Sequence, residues 1–129
     1  MTKRLEMYRC KVCGNFVQVL LDGEGELVCC GEPMEHLNPK TIDELKEKHV
    51  PKFVRHDDNS FSVRVGSDLH PMIDEHYIMF IETVSSDKNK ISIEYLYPSM
   101  SPEIFSNIND GTAFEYCNIH GLWEGKNND

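Results

Sequence analysis

Apolar and polar residues alternate with a period of two along much of the chain. Residues 61–65 (Phe-Ser-Val-Arg-Val) and 91–97 follow this pattern, and 113–117 form another short apolar segment. Residues 77–84 are almost continuously apolar, which is typical of a strand buried on both faces. Residues 98–111 are rich in Ser, Pro and Asn, which predicts a long loop. Several short strands without a convincing long helix predict an all-β protein built as an antiparallel sandwich.

The first part of the chain has a different pattern. Residues 16–21 and 26–29 are predicted strands, and Asp22-Gly23-Glu24-Gly25 between them is a strong turn signal. Two short strands cannot fold alone, so this part needs a bound metal to stabilise it. Residues 41–48 begin with the capping-box form Thr-x-x-Glu, which predicts a short helical turn.

Length and charge narrow the possible functions. The 129 residues allow at most two small units, and we place the domains at 1–37 and 38–129. A formal net charge of −9 argues against nucleic acid or an anionic membrane as the main partner. The chain has no apolar run of about 18 residues and no apolar N-terminal segment, so we expect neither a membrane span nor export. In a reducing cytoplasm, five cysteines favour metal binding over disulfides.

Four of the cysteines form a predicted metal site. Cys10-x-x-Cys13 is a zinc- or iron-binding knuckle, and Gly14 supplies the positive φ that such a turn needs. The adjacent pair Cys29-Cys30 is less usual. Neighbouring side chains in a strand point to opposite faces, so both sulfurs can reach one ion only if the backbone kinks there. The spacing does not decide between iron and a purely structural zinc.

A second group combines histidines with the fifth cysteine. Cys117-x-x-His120 has ligand spacing, and His70 and His76 lie just before the buried strand at 77–84. His49 precedes Val-Pro, a sequence that favours extended backbone. The remaining two histidines are interpreted as ordinary surface or hydrogen-bonded residues: His36 and His56.

Together these motifs resemble desulfoferrodoxin, the two-iron form of superoxide reductase. The resemblance covers nearly the whole chain and rests on Cys10-x-x-Cys13, Cys29-Cys30 and the segments 47–51, 70–72, 75–78 and 117–123. It implies a desulforedoxin-like domain that holds iron in four cysteines, followed by an immunoglobulin-like, neelaredoxin-like catalytic domain. One residue departs from the family pattern, because Phe80 stands where an indole is more usual.

The resemblance also implies the composition and role of the second site. The catalytic iron would have four equatorial imidazoles and an axial thiolate, from His49, His70, His76, His120 and Cys117. Five protein ligands leave one of six positions open for superoxide. Glu47 would be the sixth ligand in the ferric state, and Lys48 would attract superoxide and order a proton-donating water. The implied reaction is one-electron reduction of superoxide to hydrogen peroxide without oxygen evolution, in a homodimer that receives electrons from a rubredoxin-like protein.

Three other functions remain open at this point. The protein could be a rubredoxin-like electron carrier whose second metal site is structural and closed. It could be a zinc-stabilised binding module on a sandwich scaffold, which would be colourless and redox-silent. It could also be a superoxide dismutase, which would evolve oxygen without an added reductant.

Overall fold

The computed structural model describes residues 1–41, 49–66 and 70–127, and within these ranges the protein contains β-strands and no helix. This confirms the all-β prediction. Of the helical turn predicted at 41–48, residues 42–48 lie outside the described ranges. The chain divides into two compact units, Met1–Asn38 and Pro39–Asp129. The described ranges contain no helix that is long and apolar enough to cross a membrane.

The first unit consists of very short strands. They are β1 (Met7–Arg9), β2 (Phe16–Gln18), β3 (Val28–Cys29), β4 (Glu32–Pro33) and β5 (Glu35–Leu37). β1 pairs with both β2 and β5, whereas β3 pairs with β4. The two predicted strands at 16–21 and 26–29 are therefore shorter than expected and do not pair with each other. The turn between them instead bonds to the N-terminus, where Thr2 and Gly23 exchange N–H···O bonds of 2.9 and 3.1 Å.

The second unit is a sandwich of two antiparallel sheets. Its strands are β6 (Pro51–Arg55), β7 (Phe61–Val65), β8 (Ile78–Ser85), β9 (Ile91–Tyr95), β10 (Glu103–Ser106), β11 (Gly111–Cys117) and β12 (Gly121–Asn127). One sheet has the order β10-β7-β6 and the other β12-β11-β8-β9. The strands predicted at 61–65, 77–84 and 113–117 are present. The prediction of a continuous loop at 98–111 is wrong, because this segment contains β10, which pairs with β7.

The core lies between the two sheets and includes one proposed metal ligand. Val63 and Val65 from β7 pack with Ile81 from β8 and with Ala113 and Cys117 from β11. β8 is buried on both faces, as its continuous apolar sequence predicts. Cys117 is completely buried, so its thiol is fixed by the same packing that holds the sandwich together.

β9 differs from the half-buried strand that its alternating sequence predicts. All five of its residues are exposed. β9 lies at the edge of the four-stranded sheet, where it pairs with β8 alone. An edge strand can extend beyond the area covered by the opposite sheet, so alternation alone does not ensure burial.

Close packing between β6 and β12 brings distant parts of the second unit together. β6 packs against β11 and β12. A Cβ atom added at Gly125 would overlap the backbone oxygen of Pro51, so β12 can approach β6 only because Gly125 lacks a side chain. Since His49 precedes β6 by two residues, this contact positions it beside the β11–β12 hairpin, which carries Cys117 and His120.

Candidate metal centres

The first unit brings the sulfur atoms of four cysteines within 4.8 Å of one another: Cys10, Cys13, Cys29 and Cys30. The Sγ–Sγ distance is 3.6 Å between Cys13 and Cys29 and 4.0 Å between Cys29 and Cys30. Metal–sulfur bonds of about 2.3 Å in a tetrahedron put the sulfurs about 3.8 Å apart. The four thiols therefore fit a tetrahedral metal ion.

The backbone of this group adopts the two conformations that the sequence requires. Gly14 has φ 84°, and its N–H donates to the carbonyl oxygen of Cys10 at 3.0 Å, which closes the knuckle. β3 ends at Cys29, and Cys30 has φ 52°, in the left-handed region. This turn is the predicted kink, and it brings the sulfurs of two adjacent residues to the same side.

Ionisation of the four thiols also points to a cation. The backbone N–H of Cys13, 3.5 Å from the sulfur of Cys10, lowers the pKa of Cys10 to about 6. Hydrogen bonding between thiols, most strongly with Cys13 and next with Cys10, raises the pKa of Cys30 to about 12. The Cys10 thiolate therefore forms easily, whereas ionisation of Cys29 and Cys30 is disfavoured because the pKa of each is raised. Four thiolates can coexist only if a metal ion neutralises part of their charge, so metal binding must release protons.

The second unit brings five further ligand atoms within 4.8 Å of one another, from His49, His70, His76, Cys117 and His120. The four imidazole rings occupy the corners of a square. Ring-centroid distances along its sides are 4.6, 4.7, 5.0 and 4.7 Å, and the His49–His76 diagonal is 6.4 Å. In a tetrahedron all these separations would be equal, so the arrangement favours four imidazoles in one plane.

The ring nitrogens agree with this geometry. Nδ1 of His120 lies 3.0 Å from Nε2 of His49. Two nitrogens each bound to a metal at about 2.1 Å are about 3.0 Å apart when they subtend a right angle and about 3.4 Å apart in a tetrahedron. Nδ1 of His70 lies 2.8 Å from the carbonyl oxygen of Pro71. Because a carbonyl can only accept, His70 donates through Nδ1 and offers Nε2 to a metal.

Burial of these residues is uneven. His49 and Cys117 are completely buried and His70 is 2% exposed. His76 and His120 are only half-buried. The group thus has a deep side attached to the protein core and a shallower side closer to solvent.

Asn118 joins two of the ligand-bearing segments, a role that sequence reasoning missed. Its side-chain oxygen accepts the N–H of Tyr77 at 3.0 Å, and its amide nitrogen donates to the carbonyl oxygen of Glu75 at 3.1 Å. These bonds hold the residue after Cys117 against both neighbours of His76. The only available signal was its position inside the Cys-x-x-His motif.

Trp123 and Lys40 also contact this group. The indole of Trp123 stacks on the ring of His49, with centroids 4.8 Å apart and an angle of 18°. Its Nε1 donates to the carbonyl oxygen of His120 at 3.2 Å, and Nζ of Lys40 donates to the same oxygen at 2.8 Å. Trp123 lies inside a motif already noted, but nothing in the sequence around Lys40 distinguishes it from other surface lysines.

The structure describes some, but not all, of the other residues that the sequence analysis singled out. Glu47 and Lys48 lie outside the described residues. His36 lies near Glu6, with its Nε2 3.5 Å from a carboxylate oxygen, and His56 is 3.0 Å from the hydroxyl of Ser62. Phe80 stacks on Tyr116, the residue before Cys117, with ring centroids 6.0 Å apart.

Comparisons with known proteins cover both units. The family model described as the desulfoferrodoxin N-terminal domain matches residues 2–37, and the desulfoferrodoxin model matches residues 41–126. Desulfoferrodoxin from Desulfarculus baarsii is 44% identical over 129 residues, covering 98% of this chain and all of the relative. Desulforedoxin from Megalodesulfovibrio gigas is 55% identical over 29 residues, covering 22% of this chain and 78% of the relative.

A solved structure extends the similarity to the fold. The crystal structure of the superoxide reductase from Treponema pallidum aligns with a TM-score of 0.76 and 27% identity, covering 97% of this chain and all of that one. The four-cysteine group and the four-histidine, one-cysteine group match two iron sites. The family models together account for most of the residues, and with these two groups they lead to one conclusion: the chain belongs to the desulfoferrodoxin family.

Proposed function

We propose that the protein is a superoxide reductase, which reduces superoxide by one electron to hydrogen peroxide without evolving oxygen. The observation that carries this proposal is the square of four imidazoles with a buried thiol, in a chain of the desulfoferrodoxin family. The similarity to the superoxide reductase from Treponema pallidum supports it. Iron, when bound here, supplies the electron that superoxide accepts.

The proposed ligands are His49, His70, His76, His120 and Cys117, and the protein's part is to position them. Imidazole nitrogens and a thiolate are donors that iron accepts. A divalent iron with one thiolate and four neutral imidazoles keeps a net positive charge, so it attracts a small anion. Five ligands on a metal that accepts six leave one position for that anion. The half-buried rings of His76 and His120 are consistent with access from solvent on one side.

Glu47 and Lys48 complete the proposed site. We assign Glu47 to the sixth position of the oxidised centre and Lys48 to attraction of superoxide and ordering of a proton-donating water. The main support is their place directly before His49 in the family motif. A physical argument also favours a local cation, because a protein of net charge −9 repels superoxide over most of its surface.

Pulse radiolysis of the reduced, iron-loaded protein tests the proposal. A superoxide reductase gives a second-order reaction with superoxide, a transient absorption and peroxide in proportion to the reducing equivalents consumed. An electron carrier with a closed second site gives no such transient. A dismutase evolves oxygen without an added reductant, and a zinc-stabilised module is colourless, so each outcome identifies a different function.

The first unit has a separate proposed role. We propose that residues 1–37 form a desulforedoxin-like domain whose iron is held by Cys10, Cys13, Cys29 and Cys30, and that residues 38–129 form the catalytic domain. Turnover by a Cys13→Ser variant at the wild-type rate would exclude this first iron as an obligatory electron relay. We further propose a cytoplasmic homodimer with a rubredoxin-like electron donor, which mixing experiments with reduced rubredoxin and sedimentation of the purified protein would test.

A further inference from the structure

We propose that Lys40 is a positioning residue of the catalytic centre, which acts through Trp123 and the carbonyl oxygen of His120 to hold two of the four imidazoles in place. Its effect on catalysis rests on the proposed function. Its effect on the geometry of the centre does not, because that effect can be measured by spectroscopy.

Trp123 is the link between the two imidazoles. Its indole lies nearly parallel to the ring of His49, and its Nε1 donates to the backbone of His120. Trp123 is only 3% exposed, so it has little freedom to adopt another position. The Trp123 side chain therefore restricts both the ring plane of His49 and the backbone of His120. Nε2 of His49 and Nδ1 of His120 are 3.0 Å apart.

Lys40 reinforces this link from the surface. Its Nζ lies 5.1 Å from the centroid of the Trp123 ring and donates to the carbonyl oxygen of His120. The first contact is a cation–π attraction and the second a hydrogen bond from a charged donor, which is stronger than a neutral one. The same carbonyl oxygen thus accepts from both Trp123 and Lys40, so the three groups fix one another.

The backbone of Lys40 is hydrogen-bonded to the two residues that flank Trp123 in the sequence. Its N–H donates to the carbonyl oxygen of Leu122, and its own carbonyl oxygen accepts the N–H of Glu124, both at 2.9 Å. A typical surface lysine loses side-chain entropy when it makes one contact, and the gain is small. Here the backbone is already fixed, so the side chain has less freedom to lose when it bridges Trp123 and His120.

Loss of the ammonium group should change the centre in two ways. The indole and the His120 carbonyl lose a shared partner, so the stacking on His49 loosens. A positive charge beside a ligand residue also disappears, and such a charge favours the lower oxidation state of a bound metal. The expected result is an altered electronic spectrum and a lower midpoint potential for the catalytic iron.

Three variants of the full-length, iron-loaded protein test this role. Lys40→Met keeps an unbranched apolar side chain over the indole but removes the charge and the donor, whereas Lys40→Arg keeps both. Lys126→Met is the matched control, because Lys126 is an exposed lysine on β12, the strand that carries Trp123. Trp123 is the only tryptophan in the chain, so its fluorescence reports directly on this contact.

We expect Lys40→Met to shift the Trp123 emission, alter the visible band of the oxidised catalytic iron and lower its midpoint potential. Its rate with superoxide should fall about threefold to tenfold. Lys40→Arg should stay close to the wild type, and Lys126→Met should leave all four quantities unchanged. If Lys40→Met and Lys126→Met have the same emission, visible band and potential, the proposal is overturned.

Two further outcomes are decisive. If Lys40→Met does not fold, Trp123→Phe takes its place, because it retains an aromatic ring and removes the N–H donor. An unchanged visible band and midpoint potential in Trp123→Phe would also overturn the proposal. If the wild-type protein does not reduce superoxide, the proposed function fails. The emission and band comparisons would still decide whether Lys40 positions the imidazoles.

Discussion

Asn118 is a single side chain on which the alignment of two ligand segments depends. Replacing it with Ala removes its side-chain bonds to Tyr77 and Glu75, while the backbone bond from its N–H to the carbonyl oxygen of Tyr77 at 3.2 Å remains, so the segment around His76 is held less tightly. We expect iron affinity of the second centre to fall about 10- to 100-fold, the usual effect of losing a partner that orients ligands. Competition with a chelator would measure this, and Asn107→Ala, at an exposed loop position, is the control. Equal iron retention in both variants would contradict the prediction.

The roles of Lys48 and Glu47 should be distinguishable by kinetics. Lys48→Ala should lower the second-order rate with superoxide and flatten its dependence on ionic strength, because a cation near the site attracts the anion over a distance that salt screens. Glu47→Ala should leave that rate nearly intact and alter the spectrum of the oxidised protein. Pulse radiolysis across a series of salt concentrations measures both effects, with Lys126→Ala as the control. An unchanged rate and salt slope in Lys48→Ala would reject the steering role.

At the scale of secondary structure, the contact of β12 with β6 depends on Gly125. A methyl carbon there would overlap the backbone oxygen of Pro51 and would lie 3.2 Å from a side-chain carbon of Val50, so the strands must separate. We expect Gly125→Ala to destabilise the second unit by about 1–3 kcal/mol. His49 should also move away from His120, which would weaken iron binding.

Thermal melting and iron content measure these two effects of Gly125→Ala. Gly25→Ala is the control, because a Cβ atom added at Gly25 would lie more than 4 Å from the other atoms of the described residues, its chain neighbours aside. If both variants melt at the wild-type temperature, the close approach of β12 to β6 does not limit stability.

The turn between β8 and β9 should respond to acid. Ser85 donates to the carboxylate of Asp87 at 2.6 Å and the N–H of Asn89 at 3.0 Å, and these bonds hold the pKa of Asp87 below its usual value of 3.8. A lowered pKa in the folded state means that the carboxylate stabilises the turn above pH 3.8 and loses this effect as the pH falls through the lowered value. The protection factor of the Asn89 amide, which is its exchange rate compared with that of an unfolded chain at the same pH, should therefore fall in acid, and Asp87→Asn should remove most of that dependence. An identical pH profile in this variant would contradict the assignment.

The strands show which elements a sequence pattern can predict. β7, β8 and β11 were predictable because their apolar residues enter the core, so periodicity follows burial directly. β10 was missed because its four residues lie between stretches rich in Ser, Pro and Asn, and only its pairing with β7 makes it a strand. The bridge between Thr2 and Gly23 was also missed, because the two residues are 21 positions apart and have no distinctive local signal.

The whole molecule combines two units with different needs for metal. The first unit has strands of two or three residues, too few to bury a stable core, whereas the second has a continuous core between its sheets. We expect Cys13→Ser to unfold the first unit and leave the second folded. Limited proteolysis followed by mass spectrometry would then find cleavage confined to the first 38 residues.

A serine replacement at exposed Lys11 is the control for this experiment, because it alters the knuckle without removing a sulfur. Equal resistance to protease in Cys13→Ser and Lys11→Ser would show that the first unit folds without its metal.

The convergence of the metal-binding groups follows from the sequence only in part. The ligands within Cys10-x-x-Cys13, within Cys29-Cys30 and within Cys117-x-x-His120 are close together in the sequence, so each of these pairs can be predicted directly. His49 and His120 are 71 residues apart, and only the sandwich brings them together. The contributions of Lys40 and Asn118 are less predictable still, because each acts through backbone groups of distant residues that no side-chain pattern encodes.

The exposure of two thiols in the four-cysteine group has a consequence for a protein whose proposed product is an oxidant. Cys13 and Cys30 are exposed, and the sulfur of Cys13 is 3.6 Å from that of Cys29. When metal is lost, hydrogen peroxide can convert one thiolate to a sulfenic acid with release of water, and a neighbouring thiol can condense with it to a disulfide and a second water. Such a bond would block reloading with metal until a reductant cleaved it. Accumulated product would thus inactivate the first centre while leaving the deeply buried thiol of Cys117 intact.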